Sequence, residues 1–316
     1  MTGAGFARAE PAFVVGDVRS QRLFTLAPIS NTGVISTHGG GVMPYKYGHY
    51  FVALVLVVIL AGFWPSYFTL VGQVPPAFHV HAATATGWVL LLLVQSVAIH
   101  ARRNAFHRMV GKASFIMFPL LIAGFVMIIN VSASRYAAEE SPFIALLGPS
   151  FGIGMAIAIV AYLTLFHLAL RNRRNTRLHA GYMLATPMIL FESPFSRIMA
   201  EHFPWMNVIG SEGPRGLLDT IVISNGLVAI FALALYFMNR RNGAPWLVAA
   251  FFVLLQSVVM WFAPDMPGLG AAFSAYSQLP HALTVAIGLV AGAAAAWSGW
   301  TAGSSGARPL ARVKPA

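Results

Sequence analysis

Long uninterrupted apolar runs dominate the chain, and polar positions are confined to the stretches between them. Eight runs reach the roughly 20 residues that a helix needs to cross a hydrocarbon layer about 30 Å thick. They lie near Tyr50–Leu70, His81–Ala101, Val110–Ser132, Leu147–Leu170, His179–Ala200, Leu217–Met238, Trp246–Ala263 and His281–Trp300. None alternates with the period of two that a barrel strand requires. In lipid only helices and closed barrels satisfy their own backbone, so apolarity on every face predicts helices. The expectation is an all-α, polytopic integral membrane protein with eight transmembrane helices.

The polar stretches orient it. Taken alternately, they place 17 of the 20 Lys and Arg residues on one side, in clusters such as Arg102–Arg103–Arg108–Lys112, Arg171–Arg173–Arg174–Arg177 and Arg240–Arg241. Arg135, Arg197 and Arg215 fall on the other, together with Glu139, Glu140, Glu201, Glu212, Asp219 and Asp265. Cytoplasmic loops carry the Lys/Arg excess, so the alternation predicts that both termini are cytoplasmic, in a cell inner membrane.

Composition sharpens this. With 58 % hydrophobic residues, 9 % charged residues and a mean hydropathy of +0.72, too few polar side chains exist to cover a water-facing surface. The net charge of +11 belongs to the loops, which reads as topology and gives no nucleic-acid partner; the implied partner is the lipid bilayer. Cysteine is absent, which removes disulfides, thiolate catalysis and Cys-ligated clusters. Residues 1–48 hold no apolar h-region and read as a flexible cytoplasmic arm without a cleavable leader. Gly39–Gly40–Gly41 lacks the context of a phosphate loop. The transmembrane domain is expected over 49–300, with its core bundle over 79–200, and a basic cytoplasmic tail over 301–316.

Histidine supplies the chemistry. Spans two and three are joined through His100 and His107, and spans four and five through His167 and His179, as if one helical hairpin were used twice. His107 and His179 open helices that run in the same direction. Equal depth on parallel helices suits two imidazoles that share haem or a metal, with His100 and His167 as alternative ligands. Against this stands the plainer reading of interfacial histidines beside arginines. On the other side, His79, His81 and His281 are candidate metal ligands. Residues i and i+2 diverge on a helix, so His79 and His81 meet one ligand only if Pro75 and Pro76 give that turn an extended start.

Glu192 is 13 residues into span five, about 20 Å along the axis. A carboxyl at that depth must be paired, protonated or hydrated, and is a functional candidate by default. Pro187 and Pro194 flank it and should open the helix. Arg197 is the nearest cation in sequence but points about 140° away around the helix, while His81, Asp219, Asn225 and His281 are reachable from other helices. Gln95, Gln256, Asn225 and Ser196 read as polar joints between helices, Gly288 and Gly292 as a close-packing seam, and the tryptophans mostly as an interfacial belt.

The segments His79-Val80-His81 through Trp88 and Gln95, His107-Arg108-Met109-Val110-Gly111, and His179-Ala180-Gly181-Tyr182-Met183 with Thr186 and Arg197 resemble a family of uncharacterised multi-pass bacterial membrane proteins. The likeness covers about 80–200 and brings no activity with it. A second resemblance, in the paired histidines around a Gln and Gly pattern, is to transmembrane b-type cytochromes, and it implies haem b. Three function classes follow: membrane electron transfer through haem b or a metal, with quinone or another membrane protein as partner; a proton-coupled transporter or permease built on Glu192; and a non-catalytic scaffold or assembly factor.

Overall fold

The computed structural model describes residues 44–304, all of whose regular structure is helical. The long helices are α1 (Gly48–Phe63), α2 (Pro76–His100), α3 (Asn104–Ala137), α4 (Pro142–Arg171), α5 (Thr176–His202), α6 (Gly216–Met238) and α7 (Ala244–Phe262). The nine-residue α8 (Leu269–Ser277) and then α9 (His281–Ala302) complete the chain. Six helices are long and apolar enough to cross a membrane, namely α2, α3, α4, α6, α7 and α9. This is the construction of a multi-pass membrane protein. Helix α1, at 16 residues, is shorter than a full crossing, and α5 is long enough but carries Glu192, Ser193, Ser196 and Arg197.

The eight long helices coincide with the eight apolar runs, with shifted ends. The first run stops early, at Phe63, and the chain then passes Pro65 into a short 3-10 turn over Phe68–Leu70. The third extends to 34 residues, because Asn104–Met109 and Ala133–Ala137 continue the helix beyond the predicted run. Helix α8 lies in what reads as a loop. Starts follow local chemistry: Pro76 and Pro142 sit in first turns, where a missing N–H is harmless, and Ser141 and Asn175 accept from the N–H groups of Ile144 and Leu178. Helix α5 is continuous through Pro187 and Pro194.

Helices α4 and α5 occupy the centre. Helix α4 packs on α3, α5, α7 and α9, and α5 on α1, α6 and α7 as well. The bundle is thus wider than the four helices of 79–200, since α9 lies against both α3 and α4. Small residues permit that approach: a Cβ on Gly292 would stand 2.7 Å from the Pro119 Cα, and one on Gly299 2.6 Å from the His167 carbonyl. Close backbone contact of this kind is how helices associate where lipid offers no hydrophobic drive.

Aromatic rings fill the middle. Phe118 and Phe166 stack at 4.1 Å, Trp88 meets both, and Phe125 joins Tyr162. Trp88 is fully buried and donates from Nε1 to Thr186 Oγ1 at 3.0 Å, tying α2 to α5. It is a core residue and no part of an interfacial belt. Outward positions such as Ile116, Ile230 and Val290 are 66–71 % exposed, an apolar surface that water would not tolerate and acyl chains would cover. The α3–α4 connection is closed by the Arg135–Glu140 ion pair, which holds the Glu140 carboxyl below the usual carboxylate range.

Candidate functional site

One end of the bundle gathers the C-termini of α2, α4 and α9 and the N-termini of α3 and α5. Between them lies a cavity of about 520 Å³. Its walls are apolar, from Leu91, Leu92, Phe115, Phe166, Met183 and Trp300, and its lining includes His100, His107 and His179. Arg108, Lys112 and Arg173 supply positive charge. The two basic hairpin turns therefore bring three of the four predicted histidines to one space.

Two of the three rings are anchored through one nitrogen. His179 Nδ1 donates to the Ala169 carbonyl at 2.9 Å, across the α4–α5 turn. His100 Nδ1 donates to the Ser96 carbonyl at 2.7 Å, one turn back along α2. A carbonyl only accepts, so in both rings Nδ1 carries the proton and the lone pair of a neutral imidazole is left on Nε2. Two ring nitrogens are left over: His100 Nε2 and His107 Nδ1 are both buried without a partner. A carbonyl-anchored imidazole with its other nitrogen bare is the usual state of a histidine about to bind a metal centre or accept a hydrogen bond.

Other polar groups converge there. The Gln95 side-chain oxygen is buried without a partner, and a Cβ on Gly111 would lie 3.3 Å from Gln95 Nε2, so the glycine leaves room for the amide. Tyr45, which precedes α1, packs edge-on against Trp246, and burial pushes its phenol up, with Arg177 opposing. Arg173 lies over the Trp300 ring at 4.1 Å and donates to the Leu170 and Trp300 carbonyls and to Ser304, clamping α4 to α9 beside the cavity.

The remaining predicted residues lie elsewhere. His167 faces α9, where Nδ1 meets Ser298 Oγ at 3.0 Å, and does not line the cavity. His79 and His81 are both helical, since α2 starts at Pro76, and they diverge. His79 meets the Tyr67 hydroxyl at 2.9 Å, whereas the half-buried His81 lies on Phe125 with its buried Nδ1 unpartnered. His281 meets Ser134 at 3.3 Å. Among the described residues, no group of three or more His, Asp or Glu is placed to hold a metal ion. Glu192 is buried and accepts from Ser196 Oγ at 3.3 Å. Arg197 turns away to the Ser193 carbonyl and hydroxyl and to the Phe63 ring, so the two interact electrostatically without forming an ion pair.

Sequence reasoning read Gln95 as a helix joint and missed Ser96, Ser114, Tyr45 and Trp300. Gln95 and Gly111 do belong to the motif that carries the family resemblance, and their meeting at the cavity gives that spacing a physical sense. No known protein family, curated protein or solved structure matches the chain.

Proposed function

We propose that the protein is an electron-transfer protein of the cell inner membrane that holds haem b in the histidine cavity, with eight spans and both termini cytoplasmic. The observation that carries this reading is the set of three imidazoles at one apolar cavity with a basic edge, two of them anchored to carbonyls and two with a buried, unpartnered ring nitrogen. The residues suit the group. Imidazole nitrogens are its ordinary axial donors. The aromatic and aliphatic walls match a flat apolar macrocycle, and Arg108, Lys112 and Arg173 offer partners for propionates. Bound there, haem b supplies a one-electron ferric/ferrous couple.

The chain's own residues do the rest. The Ala169 and Ser96 carbonyls fix the orientation and tautomer of His179 and His100. Phe115, Phe166 and Trp300 exclude water from the interior of the cavity. The basic residues keep the region positive, which favours the reduced state of a bound redox centre and draws anionic partners to that face. A second membrane component, quinone or protein, would exchange the electron.

The test is a dithionite-reduced minus air-oxidised optical spectrum of the detergent-purified protein, from cells supplied with haem precursor. A sharp reduced b-type band near one haem per chain is expected, lost in His179→Ala and in at least one of His100→Ala and His107→Ala. A flat spectrum from folded, haem-supplied protein would overturn the assignment. So would full occupancy in all three variants.

A further inference from the structure

Far from the histidine cavity, α4, α5, α6 and α7 share a buried polar layer that the redox reading does not use. Its axis is a hydrogen-bond chain across three helices: Asn225 Nδ2 donates to Gln256 Oε1 at 3.4 Å, and Gln256 Nε2 donates to the Gly154 carbonyl at 3.1 Å. With Trp261 Nε1 donating to Asp219 Oδ1 at 3.1 Å, these bonds set the antiparallel register of α6 against α7. Ser224 and Ser257 are one residue further along from Asn225 and Gln256 in the same axial direction, so that register puts them level. Both hydroxyls are buried without a partner, and so is Asn225 Oδ1.

Glu192 belongs to the same layer by depth and by face. It lies 16 residues beyond Thr176, the start of α5, or about 24 Å. Asn225 lies 13 residues before the end of α6 and Ser257 13 residues into α7, about 20 Å each from the same end of the bundle. Gly181, three turns before Glu192 at nearly the same angle, abuts Pro245 of α7, where a Cβ would come within 2.8 Å. The Glu192 face of α5 therefore looks toward α7, while Arg197, bonded to Ser193, looks toward Phe63 of α1, and α6 packs on α5 as well.

We infer that this layer is a binding site for a monovalent alkali cation, formed by the Glu192 carboxylate with Asn225 Oδ1 and the Ser224 and Ser257 hydroxyls. The donors are all oxygen, which suits a hard cation and excludes a soft one. The layer's own donors are one carboxylate and three neutral oxygens, and Arg197 already acts on Glu192 electrostatically, so a singly charged ion adds the least excess charge to the membrane interior, whereas a divalent ion would add twice that. Three of the four oxygens lack any partner within the protein, although buried polar groups ordinarily have one. The fourth has a single 3.3 Å contact from Ser196.

Sodium is the probe. Equilibrium binding of radioactive sodium to the purified full-length protein, against choline as the ionic-strength control, should saturate near one ion per chain. Sodium should also raise the thermal unfolding midpoint. Glu192→Gln should abolish both effects, and Ser257→Ala or Ser224→Ala, small changes that keep the fold if Glu192→Gln does not, should weaken binding by about tenfold. Absence of saturable binding would overturn the site, as would binding unaltered by either serine variant. A midpoint that follows pH but not sodium would make Glu192 a neutral, protonated acid and equally overturn it.

Discussion

Gly292→Ala is the sharpest test of the packing. The added methyl would stand 2.7 Å from the Pro119 Cα and 3.3 Å from its nitrogen and Cβ, all of them rigid atoms of α3. No rotamer can relieve the contact, so α9 must move off α3. Overpacking of this kind costs about 1–3 kcal/mol. The same substitution gains about 0.5–1 kcal/mol from the lower backbone freedom of alanine in a helix. The internal control is Gly226→Ala in α6, where a Cβ would meet nothing within 4 Å and only the gain applies. The two variants should therefore differ by about 1–3 kcal/mol, Gly226→Ala above the parent. At about 2–4 °C per kcal/mol for a chain of this order of size, the midpoints should separate by several degrees. Intrinsic tryptophan fluorescence during a thermal ramp in mild detergent reads this directly. Equal midpoints for the two variants would refute the claim that the α3–α9 seam is closed by backbone contact.

Other outcomes are as specific. Thr186→Val keeps the shape but leaves the buried Trp88 N–H unpaired, and should lower stability by about 1–3 kcal/mol, measured by the same ramp. Asn130 accepts from Tyr276 and exchanges hydrogen bonds with Thr284, so Asn130→Leu should loosen α8 and α9 and speed proteolysis of the 266–280 segment; an unchanged cleavage rate would remove that network from the account. Glu140 has a carboxyl lowered by Arg135, so its contribution is present above the ordinary Glu range and disappears as pH falls through the folded value. Arg135→Gln should remove that pH dependence with little other effect, the pair being exposed. Because the chain has no cysteine, Arg174→Cys, Arg241→Cys and Glu212→Cys each report one loop. An impermeant maleimide applied to intact cells should label only Glu212→Cys, and labelling of all three would break the eight-span topology.

Much of the helical layout was legible because apolar run length is a direct record of membrane crossing. Helix α8 was not, since nine residues, five of them Ala or Ser, carry no such record. Rotation about each axis was illegible for the same reason that the spans were easy to find. A helix apolar on every side has no stripe to show which face turns inward, so Trp88 read as interfacial and Gln95 as a joint. His107 and His179 could be paired because both open helices beside basic turns, which fixes their depth. His167 shares that depth, but α9 takes its ring with Ser298, and nothing in the hairpin repeat places α9. The lack of an ion pair between Glu192 and Arg197 followed from helix angle, whereas the level placement of Ser224 and Ser257 required the register set by Asn225 and Gln256.

The clamp between Arg173 and Trp300 bears on the order of events during synthesis. Trp300 is the third residue from the end of α9 and forms part of the cavity wall, and the Arg173 side chain finds its ring and carbonyl only after that helix has docked. A nascent chain with α2 to α5 already inserted would carry its anchored histidines in a pocket still open on the α9 side. Closure of the cavity waits for the last helix to leave the ribosome, and a chain cut short before α9 would have the three histidines on a cavity without its Trp300 wall.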